Sequence, residues 1–309
     1  MDGVLNLNKP SGPTSHDMVN RVRSATGIRR VGHAGTLDPL ATGVLVICIG
    51  RATRIVEYLM PGRKVYRAEL RLGITTDTYD AEGEVISTAA VESTREQVET
   101  ALDAFRGTIE QIPPMYSAVK HHGTPLHRLA REGVQVKRDP RPIEIFEVTL
   151  LAWHPPNCSL KVVCSSGTYV RTLAHDLGLA LGCGAHLTGL TRLASGKFHL
   201  EDSVEIEDFE RWAREGRWSD CVQSIDAALS HFPALHLADD EAQKICTGQT
   251  VSTTSSNVTL SQDVRASGGE KLARTYGPGG EFLALVIYDA QANVWRPKKV
   301  FPSPSSQAN

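Results

Sequence analysis

Between Val31 and Gly43 the chain sets three glycines, one histidine and one aspartate directly ahead of Val44–Ile49, an unbroken apolar run closed by Gly50. An apolar run bounded by glycine suits a buried strand. Glycine allows close backbone approach and dihedrals that other residues avoid. Pro39 pushes Asp38 towards extended geometry. The segment therefore predicts a fixed loop that carries a carboxylate to the mouth of a sheet, where it can serve as nucleophile or base. The same Asp-Pro pair also suits a helix N-cap followed by proline at the first helical position. His33 also fits an ordinary loop histidine. Local physics leaves both pairs of readings open.

The rest of the chain mixes strand and helix signals without a regular βαβ repeat. Val4–Asn8 alternates and runs into the turn Lys9-Pro10-Ser11-Gly12-Pro13. Thr14-Ser15-His16-Asp17 offers an N-cap, Met18, Val19 and Val22 follow at helical spacing, and Gly27 suits the stop. Tyr66–Leu72 alternates as a half-buried strand. Thr94 with Gln97 forms a capping-box signature for a helix reaching Phe105. Leu160–Cys164 and Thr168–Val170 read as β, separated by Gly167, and Thr172–Leu181 reads as a helix ending at Gly182. A surface helix is expected within the acidic stretch from Glu201 to Glu215. This order predicts an α+β fold with a mixed, mainly antiparallel sheet.

A length of 309 residues suits about two domains of about 150 residues each. The expected division is a catalytic unit over 1–232, a small β-rich unit over 233–301 and a disordered tail over 302–309. Within the second unit, Ser252–Ser261 is rich in Ser and Thr, Gly277–Gly280 is a turn, and Phe282–Tyr288 is an apolar strand.

The net charge of −2 lacks the overall basicity common in nucleic-acid binders, so an RNA site has to come from local charge separation. Lys120–Arg141 supplies it, with six basic residues (Lys120, Arg128, Arg131, Lys137, Arg138, Arg141), three histidines and two acids. Glu201–Glu210 holds six acids and no Lys or Arg. A basic stretch of this kind is also an ordinary solvated face. The six cysteines contain no C-x-x-C pair and read as buried thiols of a reducing compartment, without zinc or disulfides. The N-terminus has no positive n-region, and no apolar run reaches membrane-spanning length. A cytoplasmic protein with no membrane contact is expected.

Gly32-His33-Ala34-Gly35-Thr36-Leu37-Asp38-Pro39-Leu40-Ala41-Thr42-Gly43 closely resembles the catalytic motif of the TruB family of tRNA pseudouridine synthases. Further segments resemble the family's motifs in family order: Leu7–Pro10 with Gly12–Ser15, Lys64–Ala68, Leu72–Asp80, Gln111–Lys120 and Ser166–Leu173. Together they run from Leu7 to Leu173, more than half the chain. A weaker likeness joins Leu235–Leu237, Ala242, Gly248-Gln249 and Phe282–Tyr288 to the small PUA-like RNA-binding unit often found at the C-terminus of such proteins, with Lys298 and Lys299 as candidate backbone contacts.

The resemblance implies a pseudouridine synthase fold and isomerisation of uridine to pseudouridine at nucleotide 55 in the T loop of tRNA. It implies that Asp38 attacks or deprotonates the target nucleoside. Tyr66 would stack on the flipped uracil and handle the C5 proton, and Arg171 would pair with Asp38 and keep it ionised. Tyr169 and Leu190 would line the base pocket, and His33 would contact the RNA near the vacated stack. Lys9, Lys64 and Asp80 would support the site. An RNA-gripping insertion is expected over about 111–142. The reaction exchanges no electrons, so no redox cofactor is expected, and no metal. The partner would be the T-arm of tRNA, and a monomer needing no protein partner is expected. The competing readings are a guide-RNA-dependent pseudouridine synthase, a non-catalytic RNA-binding protein of the same fold, and a nucleoside hydrolase. The last is disfavoured by the lack of an acid cluster suited to a metal.

Overall fold

The computed structural model describes residues 1–252 and 271–301. The expected tail over 302–309 and the Ser/Thr-rich stretch from 253 onward lie outside these residues. The first part of the chain builds β1 (Gly3–Lys9), α1 (Ser15–Thr26), β2 (Val31–Ala34), β3 (Ala41–Ile49) and β4 (Lys64–Leu72). There follow α2 (Arg95–Asp103), β5 (Gly107–Gln111), β6 (Arg141–His154), β7 (Asn157–Cys164), α3 (Val170–Ala180) and β8 (Ala185–Ser195). The large sheet runs, after an edge bridge at Val204–Glu205, in the order β1-β3-β8-β4-β7-β6-β5. All neighbours along it are antiparallel except β8 with β3 and the edge bridge with β1. The expected mixed, mainly antiparallel α+β sheet is the one observed.

Local signals explain the element ends. Thr14 caps α1 and completes a capping box with Asp17, while Gly27 closes the helix in the left-handed conformation at φ 69°. Thr94 and Gln97 make the second capping box, at the start of α2. Strand β4 alternates as its sequence does, with Tyr66, Ala68, Leu70 and Leu72 inward and Arg67 and Arg71 exposed.

The apolar run in β3 is continuous because both faces of that strand are covered. Leu45, Ile47 and Ile49 join the main core with Met18, Val19 and Val22 of α1. Val44, Val46 and Cys48 point the other way into a second core that includes Leu285 and Phe301. Leu285 lies in, and Phe301 directly follows, a β unit of five strands: Ala234–His236, Val251–Ser252, Leu272–Tyr276, Phe282–Asp289 and Val294–Val300. It is tied to the rest by Arg274 and Tyr276 on Asp226, by Lys299 on Glu57, and by Arg54 donating to the Val300 carbonyl. The segment between β5 and β6 forms a two-strand hairpin, Lys120–His121 with Thr124–Pro125, and the helix Leu126–Arg131.

One local expectation fails. Thr168–Val170 is not a strand. Tyr169 precedes α3 as its N-cap, and the helix starts at Val170, two residues ahead of the expected Thr172. The reason is a side chain from another strand. Gln111 accepts from the Tyr169 N–H at 2.8 Å and donates to its carbonyl at 3.1 Å, taking the groups that a ladder would use. Tyr169 is therefore presented from a loop.

Gly43 admits the close approach of two strands. Its φ is 97°, and a Cβ there would lie 2.3 Å from the Arg192 carbonyl oxygen. Strand β8 could not approach the start of β3 past any side chain. Gly43→Ala is expected to cost more than about 2 kcal/mol, read as a lowered urea midpoint with an unchanged slope.

Candidate active site

The loop between β2 and β3 carries Asp38, and no helix follows it. Pro39 and Leu40 form a turn closed by Ala41 N–H donating to the Asp38 carbonyl at 3.1 Å. The helix-cap reading of Asp-Pro is thereby excluded. Three buried side chains fasten this loop through its backbone. Ser15 accepts from Leu37 N–H at 2.8 Å and donates to the Leu37 carbonyl at 3.0 Å. Lys9 donates to the carbonyls of Pro39 at 3.0 Å, Ala41 at 2.7 Å and Pro10 at 2.9 Å. Arg192 donates to the carbonyls of Gly35 at 3.0 Å, Thr36 at 3.2 Å and Val44 at 2.7 Å. Burial pushes the Lys9 ammonium down to about 8, against the pull of Asp38.

Arg171, near the start of α3, is the hub of the charged groups. Its Nη1 lies 3.3 Å from Asp38 Oδ2 and 3.1 Å from Asp80 Oδ2. Its Nη2 donates to the Tyr116 carbonyl at the base of the hairpin segment, at 2.5 Å. Asp80 is only 2% exposed and is held by Thr78 Oγ1 at 2.6 Å and the Glu82 N–H at 3.1 Å. The backbone turns sharply just before it, since Tyr79 takes φ 66°. The Tyr79 ring stacks on His175, one turn along α3 from Arg171, with centroids 3.9 Å apart. Asp80 is thus a rigid backstop, and Asp38 is the carboxylate that reaches solvent, its side chain 33% exposed.

The other expected site residues fall into two groups. Tyr66 on β4, Tyr169 on its loop and Leu190 on β8 surround the Asp38 loop. Leu190 is registered beside Ala41 on one side and Ala68 on the other. The Arg171 guanidinium lies 5.8 Å from the Tyr169 ring centre. Tyr66 is buried in the main core and carries the electrostatic influence of Asp38 and Arg192. His33 sits half-buried on β2, opposite Ile47, and its Nδ1 has no hydrogen-bond partner among the described residues. Lys64 stands apart, donating to Ser195 Oγ at 2.9 Å, and burial lowers it to about 8.

Burial governs the protonation of Asp38. It pushes the carboxyl above its ordinary value, Arg171 opposes this, and Asp80 adds to the rise; Lys9 and Arg192 pull weakly down. Arg171 therefore limits the cost of ionising Asp38 without cancelling it. A carboxylate held above its resting value is a better base and nucleophile once ionised. Burial likewise raises the phenols of Tyr66 and Tyr169 and lowers the His33 imidazole. Among the described residues, no group of three or more His, Cys, Asp or Glu side chains is placed to hold a metal ion. No helix among them is long and apolar enough to cross a membrane.

Ser15 and Arg192 were not singled out by sequence. Ser15 reads there as part of a helix cap. Arg192 is one polar residue in a strand, and its only sequence signal is a lone cation in the run Leu190-Thr191-Arg192-Leu193-Ala194.

A carboxylate on a braced loop, paired with a buried arginine and with two tyrosines and a leucine on neighbouring elements, is an arrangement able to carry acid–base or nucleophilic chemistry. Comparison with known proteins gives the family. The profile of the TruB family pseudouridylate synthase N-terminal domain matches residues 23–170, and that of the tRNA pseudouridylate synthase B C-terminal domain matches residues 171–230. The tRNA pseudouridine synthase B of Syntrophotalea carbinolica is 46% identical over 289 residues, 93% of this chain and 92% of that protein. That of Dehalococcoides mccartyi is 41% identical over 310 residues, 100% of this chain and 99% of that protein. Among solved structures, a chain from the crystal structure of a Cbf5-Nop10-Gar1 complex matches with a TM-score of 0.74 and 26% identity, covering 98% of this chain and 86% of that one. This chain belongs to the TruB family of pseudouridine synthases, isomerases that convert uridine to pseudouridine.

Proposed function

We propose that this enzyme converts the T-loop uridine of tRNA, nucleotide 55, to pseudouridine, with Asp38 as the essential carboxylate. The observation that carries the reading is the Asp38–Arg171 pair on a loop fastened at both ends. The naming of its relatives as tRNA pseudouridine synthases supports the choice of RNA. The target base lies inside a folded RNA loop and has to leave its stack to reach Asp38. Tyr66 gives it an aromatic face, Tyr169 and Leu190 close the pocket, and His33 contacts the RNA near the vacated stack. The N1–C1′ bond breaks, the uracil turns, and a C5–C1′ bond forms. C5 loses its proton and N1 gains one, so the balance needs no oxidant or reductant. Asp38 starts this either by attacking the nucleoside or by taking a sugar proton, and Tyr66 handles the proton at C5.

Lys9 and Lys64 act as supports, Lys9 by holding the loop and Lys64 from β4. The catalytic unit spans 1–232 in this reading, and the β unit over 233–301 is a PUA-like RNA-binding unit, with Lys298 and Lys299 towards the backbone. The enzyme works as a cytoplasmic monomer without cofactor, guide or protein partner. Lys120, Arg128, Arg131 and Lys137 are exposed on the segment over 111–142, which grips the phosphates. Each phosphate contact releases counterions, so tRNA affinity is expected to fall by at least about tenfold between 50 and 200 mM salt in a filter-binding series. A flat salt response would remove the segment from the interface.

The reaction itself is tested with unmodified tRNA tritiated at uracil C5, followed across pH. Asp38 acts in its ionised form, and its carboxyl is raised above 3.8. The rate should therefore fall as pH drops through the raised value, placing the acid limb above the ordinary aspartate range. The likeness to a chain of the Cbf5-Nop10-Gar1 structure leaves a guide-dependent enzyme as the second reading. Release from tRNA with no other component excludes it.

A further inference from the structure

Arg192 fastens the Asp38 loop through its backbone, and the scheme above gives its charge no task. It is 2% exposed on β8, and among the described residues no carboxylate forms an ion pair with it. Burying a guanidinium is costly unless its donors are satisfied. Here they are satisfied by three carbonyls, those of Gly35, Thr36 and Val44, which flank Asp38 on both sides in the chain. The sheet register gives the other half of the arrangement. Arg192 is directly opposite Tyr66 on β4 and directly beside Gly43 at the start of β3. Directly opposite residues of antiparallel strands bring their Cβ atoms to within about 5.5 Å. One side chain thus runs from the strand beside Tyr66 to the loop of Asp38. The absence of a side chain at Gly43 is what lets the Arg192 backbone come this close.

We propose that Arg192 is a positioning residue that fixes the Asp38 loop relative to Tyr66 and, through a charge no carboxylate neutralises, favours the ionised form of Asp38. Its planar fork suits the first task, since three carbonyls at different angles are met by one rigid group. Its sign suits the second. The guanidinium draws the Asp38 carboxyl and the Tyr66 phenol down towards their ordinary values, against the rise that burial imposes. An arginine paired to its own carboxylate would bring no such field. Arg171 divides its charge between two aspartates, and Arg192 adds a smaller pull in the same direction. The inference rests on Asp38 being the reacting carboxylate.

The test uses full-length Arg192→Lys and Arg192→Met beside wild type and Asp38→Asn, with thermal unfolding and tRNA affinity measured for each. Lysine keeps the charge and loses the fork; methionine loses both. Arg192→Lys is expected to lower single-turnover tritium release by about a hundredfold, the cost of an ångström-scale misplacement, with tRNA affinity held within about threefold. Its acid limb should stay at the wild-type pH. In Arg192→Met the acid limb should move to higher pH, because Asp38 has lost a cation; a purely structural lesion would not move it. Should the methionine variant fail to fold, Arg192→Lys decides alone, by its loss of turnover at unchanged affinity. Wild-type turnover in Arg192→Lys, or an unmoved acid limb in a folded Arg192→Met, overturns the proposal. Activity retained in Asp38→Asn would instead strike at the catalytic assignment itself.

Discussion

Asp38→Asn is expected to lower tritium release from C5-labelled tRNA by at least about a thousandfold, whether the carboxylate acts as nucleophile or as base. Asparagine matches aspartate in size and can still meet Arg171, so the loop and the tRNA affinity should survive. The same substitution is expected to raise the unfolding midpoint at neutral pH. The sign follows from linkage. The carboxyl is raised in the folded state, so the unfolded chain ionises first. As pH climbs from 3.8 through the raised value, the folded state loses stability relative to the unfolded one, and that loss persists at neutral pH. Asparagine carries no such burden. A more stable and inactive protein is the signature of a strained functional group, and calorimetry beside the activity assay reads it. An active Asp38→Asn would show the chemistry to lie elsewhere.

Arg171→Ala is expected to be the most destabilising single change in the site. The arginine is 5% exposed and holds two carboxylates, one of them almost fully buried. Removing one partner of a buried ion pair leaves uncompensated charge and costs about 3–5 kcal/mol. The Tyr116 carbonyl also loses its donor, so the loss should spread into the hairpin segment. Activity should fall by at least about a hundredfold even at temperatures where the variant is folded, since Asp38 then neither sits correctly nor ionises readily. Arg171→Lys should recover part of the stability, because charge is kept, and less of the activity, because one ammonium cannot reach both aspartates and Tyr116. Equal stability of wild type and Arg171→Ala in urea would contradict this account of the network.

Much of this arrangement is legible in the amino-acid sequence. The capping boxes at Thr14 and Thr94 and the left-handed stop at Gly27 are local, and local rules found them. The alternation in β4 and the apolar run in β3 followed from one-sided and two-sided burial. A proline and three glycines mark the loop of Asp38 but leave a helix cap open, and the resemblance to the family is what singles out the carboxylate. The strand expected at Thr168–Val170 failed because Gln111, almost sixty residues away in sequence, takes its backbone groups. No window of sequence contains that contact. Ser15 and Arg192 escaped for the same reason: their partners are backbone carbonyls and amides of a distant loop, which leave no trace in residue type. The resemblance pairs Arg171 with Asp38 and gives Asp80 only a supporting place, and the structure adds that one guanidinium holds both aspartates.

The most direct test of the central claim is stoichiometric tritium release from unmodified tRNA labelled at uracil C5, with the purified chain alone and the product mapped afterwards. The account predicts one label lost per tRNA, with pseudouridine at the T-loop position and nowhere else. Tight tRNA binding without any release, or release mapped outside the T loop, would contradict it.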